Sequence, residues 1–166
     1  FERTYEFTMS SATDWEAIRF MTNDAGAAMP FIIDDIIVTR TFIGQIPTTV
    51  VDPRDVVYSL ADDVEFQALE DGAEFDDALT HLGKSGTPIL TALEEEGTNI
   101  VSITERVDGE PWSGLDIKVS PLNLLPGNSY RIVAEGRIVG DAPASSQIVL
   151  GGSNNDTNYW PQFVAV

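Results

Sequence analysis

Two aspartates, Asp34 and Asp35, stand side by side in PFIIDDIIVTR, residues 30–40, among isoleucines and valines. Adjacent carboxylates inside an apolar strand are costly unless something pairs them. Hard oxygen donors of this kind suit divalent cations such as Ca²⁺. Three aromatic residues offer a second chemistry. Trp112 lies in GEPWSG, a loop context, and Tyr159 and Trp160 follow a Gly/Asn/Asp run. Flat apolar rings in loops suit ligands with a CH face and a rim of hydroxyls, as sugar rings have. Neighbouring strand residues point opposite ways, so one of Tyr159 and Trp160 is expected in the core. Trp15 is assigned to the core or to a loop anchor.

The material for covalent or acid–base catalysis is thin. His81 is the only histidine, in DDALTHLGKSG, and there is no cysteine. Disulfides and thiolate metal sites are excluded, and zinc or Ser-His-Asp chemistry has little to work with. His81 reads as a solvated side chain at a helix or loop end. The 27 acidic residues could include a pair for glycoside hydrolysis, but no spacing singles one out. EEEG at 94–97 reads as a solvated charge run ending in a turn. Arg106 closes a strand just before the Trp112 loop and is expected to be structural or at a cleft rim. Glu135 and Arg137 could hydrogen-bond a ligand or form a surface salt bridge of little energetic weight.

Twenty-seven acidic and nine basic residues give a formal charge of −18 over 166 residues. Such a surface repels nucleic acid and anionic membranes. It fits an acidic, secreted extracellular protein, or one from a salty habitat where screening quiets self-repulsion. No apolar run is long enough for a membrane-crossing helix. The opening FERTYEF reads as a piece of a longer chain. A hydrophobic content of 43% is that of a folded domain with a core.

These side chains must be positioned by short strands separated by turns. Strands are expected at 4–9, 17–22 and 31–39. A linker holding two prolines follows at 41–56, and a new strand begins at Val57. Residues 66–83 read either as a short helix near EFDDALTHL or as a surface loop. Strands resume in PILTALEE, NIVSITERV and GLDIKVSP. After a Pro126-Gly127 turn, a long strand alternates Tyr130, Ile132, Ala134, Gly136 and Ile138 on one face with Arg131, Val133, Glu135 and Arg137 on the other. SQIVLGG is the last clear strand before YWPQFVAV. The pattern predicts an all-β sandwich of jelly-roll type.

Three segments resemble carbohydrate-binding modules of family 22 and the related families 4, 9 and 16. They are YSLADDVEFQALEDG, NIVSITERVDGEPWSGLDIKVSPLNLLPGNSYRIVAEGRI and DWEAIRFMTNDAGAAMPFIIDDIIV. The order differs from the family. The Ile-Asp-Asp strand that closes such a module lies here at 33–35, ahead of the opening segment. Residues 1–40 therefore resemble the closing strands, and 57–166 the main body, of one module in circularly permuted order. A closing hairpin supplied by a neighbouring chain is the alternative.

The resemblance implies non-catalytic binding of a plant-wall β-glycan, xylan or mixed-linkage β-glucan, on behalf of an attached glycoside hydrolase such as a xylanase. It implies Trp112 as a sugar platform with Tyr159 opposite. The family's cleft also uses an arginine and a glutamate. Met21 stands at the glutamate's position, so Glu135 and Arg137 are the replacement candidates. AIRFMTN is expected to turn Ile18 and Phe20 inward and Arg19, Met21 and Asn23 toward the cleft. The resemblance further implies a structural calcium held by Asp34, Asp35 and a side chain near 62–67, with Asp62 and Gln67 as candidates. Gln67 stands where the family has glutamate. The rivals are a spacer that stabilises an enzyme without binding sugar, and a small β-jelly-roll lyase or glycosidase.

Overall fold

The computed structural model describes residues 2–9, 15–23, 26, 28–41, 54–107 and 109–153. The strands are β1 (Glu2–Thr8), β2 (Ala17–Thr22), β3 (Phe31–Thr41), β4 (Arg54–Ser59), β5 (Glu74–Phe75), β6 (Leu82–Ser85), β7 (Ile89–Glu95), β8 (Thr98–Thr104), β9 (Gly114–Lys118), β10 (Ser129–Ile138) and β11 (Ile148–Ser153). Two single-turn helices interrupt them, α1 (Val64–Gln67) and α2 (Val119–Leu122). Every strand pairing is antiparallel. One sheet runs β1-β10-β3-β8-β7-β5, with β4 also on β3, and the other runs β11-β2-β9-β6. The two sheets pack face to face as an all-β sandwich.

Alternation builds the core. The four-stranded sheet contributes Ile18, Phe20, Leu82, Leu115, Ile117 and Leu150. The larger sheet answers with Phe31, Ile33, Ile36, Val38, Leu90, Val101, Ile103, Tyr130 and Ile132, all at most 1% exposed. Burial of each such side chain is worth roughly 1.5–3 kcal/mol. The expected faces of the 129–138 strand are those observed: Tyr130, Ile132 and Ala134 are buried and Glu135 and Arg137 exposed. The three strands before residue 42 pair with strands after residue 53: β1 and β3 with β10, β2 with β9 and β11, and β3 also with β4 and β8.

The aspartate pair corrects simple alternation in β3. Phe31 and Ile33 face inward, and so do Ile36 and Val38, so the inward parity changes between 33 and 36. The cause is a β-bulge. Val133 of β10 opposes Ile37 and Glu135 opposes Asp34, so Ala134 faces two residues of β3. Asp35 takes up the extra residue at φ +47°, a left-handed conformation that aspartate tolerates better than β-branched residues. Asp35 is thereby exposed and Asp34 half-buried, and neither points into the core as alternation alone requires. Asp34 Oδ1 accepts the Asp35 N–H at 2.7 Å.

Other boundaries differ modestly. β3 runs to Thr41 and β4 begins at Arg54, with these two residues as register partners, so the expected linker begins and ends at neighbouring points. Its residues 42–53 lie outside the described residues. The ambiguous 66–83 stretch is neither one helix nor one loop. It holds the end of α1, the two-residue β5, a run of turns and the start of β6. The charge run ends in a two-residue hairpin, with Glu96 and Gly97 both at positive φ (54° and 86°).

Candidate functional site

Trp112 sits on the turn that enters β9, and the backbone of that turn is fastened by Arg106. Arg106 is 7% exposed. Its Nε donates to Ser113 O at 3.0 Å, and Nη2 donates to Pro111 O at 3.0 Å and Glu110 O at 3.4 Å. Its Nη1 donates to Thr22 Oγ1 at 2.7 Å, Met29 O at 3.0 Å and Gly26 O at 3.1 Å. The remaining carbonyl of the turn, Trp112 O, accepts from Ser85 Oγ at 3.1 Å. All four carbonyls from 110 to 113 therefore have a side-chain donor. The cation also lies 5.1 Å from the centroid of Phe31. Burial lowers its pKa to about 10, which leaves it charged at neutral pH. Arg106 is structural rather than part of a cleft rim.

The indole is half-buried. It packs over Gly86, where a Cβ would come within 3.1 Å of Trp112 Cζ3 and 2.8 Å of Ser113. Gly86 also has φ +73°, so both space and backbone favour glycine there. The result is a partly exposed aromatic ring on a backbone that is already ordered. Tyr159, its expected partner, and Trp160 lie outside the described residues.

Glu135 and Arg137 are elsewhere. They face away from the smaller sheet and, with Ile32, Asp34 and Gly136, line a depression of about 70 Å³. Arg137 is ion-paired to Glu95 across the surface. Glu135 is the register partner of Asp34. The structure thus brings two expected sugar contacts to one expected metal ligand, and separates both from Trp112. Strand parity assigned Glu135 and Arg137 to an outer face correctly, but a sandwich has two outer faces, and theirs belongs to the other sheet.

Met21 is 2% exposed, so it does not line an open cleft as expected. Beside it, Arg19 and Asp116 are register partners on β2 and β9 and form a two-pronged pair, Nε–Oδ1 2.7 Å and Nη2–Oδ2 2.9 Å. Burial raises the Asp116 pKa, the Arg19 contact opposes that rise, and the Asp77 charge adds to it.

Of the four residues expected to hold calcium, Asp34 and Asp35 are neighbours in the β3 bulge. Gln67 is engaged with backbone: its Nε2 donates to Leu60 O (2.9 Å) and Asn99 O (3.1 Å), and its Oε1 accepts the Asn99 N–H (2.9 Å). Asp62 is exposed. Among the described residues there is no group of three or more Asp, Glu or His able to hold a metal ion. Asp34 and Asp35 alone remain as neighbouring donors. Burial, more than the nearby Asp35 and Glu95 charges, raises the Asp34 pKa.

A second polar cluster was not expected from the sequence. Asp63 caps α1, with Oδ1 accepting the Glu65 and Phe66 N–H groups at 3.2 Å each. Its Oδ2 accepts the Tyr58 hydroxyl at 3.1 Å and lies 3.5 Å from His81 Nδ1. His81 is therefore half-buried against a carboxylate rather than freely solvated, its ring 5.3 Å from Tyr58. Burial, then Asp63, pushes the Tyr58 pKa up. With Val56, Ser59 and Asp62 these residues line an open groove of about 310 Å³.

No family model, no curated protein and no solved structure matches the chain.

Two predictions follow from this geometry. Arg106→Lys keeps the charge but loses the planar fork, leaving several buried carbonyls without donors. Urea denaturation should show a loss of about 3 kcal/mol or more, and near-UV circular dichroism should show a changed tryptophan signal. An unchanged midpoint would remove Arg106 from its anchoring role. Asp34→Asn keeps the acceptor for Asp35 N–H and removes a charge that burial disfavours. Because the folded pKa is raised, wild type is penalised above the unfolded value of 3.8 and relieved below it. The variant should be more stable at pH 7 by under about 1 kcal/mol, given solvent screening. That advantage should shrink as pH falls toward 3.8. Thermal melts across that range test the sign.

Proposed function

We propose that this chain is a non-catalytic binding module for a neutral β-glycan, xylan or mixed-linkage β-glucan, with Trp112 as the platform. The observation that carries the reading is the fastening of residues 110–113 by Arg106 and Ser85 beneath a half-buried indole. An aromatic ring whose backbone is already ordered binds with little further entropy cost. In this reading the chain is secreted and tethers an attached glycoside hydrolase to its polymer, raising local substrate concentration. The jelly-roll strand order with closing strands placed first belongs to the same proposal, supported by the pairing of β1, β2 and β3 with strands from 54 onward. A spacer that binds no sugar is the second reading, and the burial of Met21 favours it.

Intrinsic fluorescence during titration with xylohexaose and then cellohexaose separates the two. The binding reading expects a saturable change that Trp112→Ala abolishes without loss of fold. No change with either sugar in the folded protein selects the spacer.

Calcium enters this proposal as a ligand of Asp34 and Asp35 alone, with backbone oxygens and water completing the shell, as Ca²⁺ requires more oxygens than two carboxylates supply. Added Ca²⁺ should then raise the melting temperature, and chelator should lower it. Asp34→Asn should abolish both shifts. Melting curves identical in calcium and chelator would remove the ion from the proposal.

A further inference from the structure

The sandwich opens at one edge. β5 ends the seven-stranded sheet and β6 ends the four-stranded one. Between them lies a hollow of about 360 Å³. Leu69, Phe75, Leu79 and Leu90 form its apolar lining, while the carboxylates of Glu74 and Asp76 and the ammonium of Lys84 supply its polar groups. Glu74 and Asp76 are exposed, and Lys84 is half-buried.

The walls are tied in place. Asp76 Oδ1 accepts the Ala78 N–H at 3.0 Å, and Asp77 Oδ1 accepts the Lys84 N–H at 3.0 Å. Lys118 Nζ donates to Asp77 O at 2.6 Å and Leu79 O at 2.7 Å. Glu65 receives both the N–H (2.7 Å) and the hydroxyl (2.9 Å) of Thr80. Phe75 is held edge-on to the core residue Phe66 at 5.4 Å. Lys84 Nζ reaches Pro88 O at only 3.4 Å, the long limit of a hydrogen bond.

We infer that this hollow is a second carbohydrate subsite, taking one end of a neutral glycan chain that also lies on Trp112. The inference rests on the glycan-binding reading above. A volume of this size is in the range of small-ligand sites, which pair apolar walls with a few placed polar groups. Phe75 offers a ring face or edge to sugar CH groups. The carboxylates accept hydrogen bonds from sugar hydroxyls, and the ammonium donates to sugar oxygens. An anionic ligand would meet Glu74 and Asp76 on a chain of charge −18. A wholly apolar ligand would strip water from three charges without pairing them.

Strand β6 joins the two places. Lys84 lines the hollow, Ser85 holds the Trp112 carbonyl, and Gly86 lies under the indole. A chain passing along this edge meets both.

The test uses ¹⁵N-labelled protein titrated with xylohexaose, cellohexaose and the matching disaccharides, alongside the Glu74→Gln/Lys84→Gln double variant. Asp76 is left intact because it caps the turn. Thermal melts confirm that the variant folds. The better hexaose should shift amide signals at 74–76 and 84–86 together with 110–113. The double variant should bind it about tenfold more weakly, yet keep the fluorescence change at saturation, and the disaccharide should lose the advantage of spanning both places. If hexaose shifts 110–113 but not 74–76, and the double variant binds unchanged, the second subsite is overturned and the Trp112 reading stands. If no oligosaccharide binds the wild-type protein, both are overturned.

Discussion

A buried cation with no carboxylate partner among the described residues is the constraint on which much of this structure depends. Arg106 gives its N–H groups to five backbone carbonyls and the Thr22 hydroxyl. Burying a charge this way is tolerable only if the donors are satisfied together, because each unmatched one carries a desolvation penalty. The planar fork makes that possible: its two outer nitrogens reach separate segments while Nε reaches a third carbonyl. Three of the acceptors lie 77 to 84 residues away in the first part of the chain, and three lie four to seven residues ahead. One side chain thus sets the end of β2, the approach to β3 and the Trp112 turn relative to one another. The order of the Trp112 turn and the seating of the N-terminal strands are the same physical fact.

The β3 bulge is a second point where local chemistry fixes global geometry. An eleven-residue strand of unbroken parity would need its inward face apolar throughout, and 30–40 does not have one: either parity puts an aspartate inside. The bulge resolves this by changing parity at the aspartates, so Phe31, Ile33, Ile36 and Val38 all reach the core. Asp35 accommodates the left-handed backbone and Asp34 accepts its N–H, so the carboxylates stabilise the bend that exposes them. Side by side, they are explained as a backbone device before any ligand is invoked.

How much of this was legible follows from range. Alternation, turn residues and parity are local, and they located most strands to within a few residues, the Pro-Gly turn and the faces of β10, but not β5 and β6, which arise where a short helix or a loop was expected. The turn position of Trp112 followed from its loop context, and its indole is half-buried there. The sequence could not show which of two outer faces a polar pair occupies, because that depends on strand order. Glu135 and Arg137 therefore separated from Trp112. Nor could it show that Gln67 would be engaged with Asn99, 32 residues distant, or that His81 would lie against Asp63. The hollow beside Phe75 forms where β5 and β6, consecutive in the chain, become edges of different sheets, so no local pattern announces it. Asp63, which caps α1 and centres the second polar cluster, was not singled out from the sequence.

The placement of the cations bears on what this surface can meet. Arg106 is turned to backbone and Arg19 to buried Asp116. Lys118 is turned to the carbonyls of 77 and 79, Arg131 to Glu6 and Arg137 to Glu95. Five of the nine bases are thus occupied in holding the fold or in neutralising single acids, while most of the 27 acids stay in solvent. The outward field is one-signed, and it disfavours any polyanion at long range. A neutral polymer is indifferent to that field. Its recognition must come from short-range contacts: ring faces, hydroxyls and exclusion of water. In the glycan-binding proposal those are what Trp112, Phe75 and the polar residues around them supply, with Lys84 and Ser85, the last two residues of edge strand β6, touching the hollow and the Trp112 turn in that order.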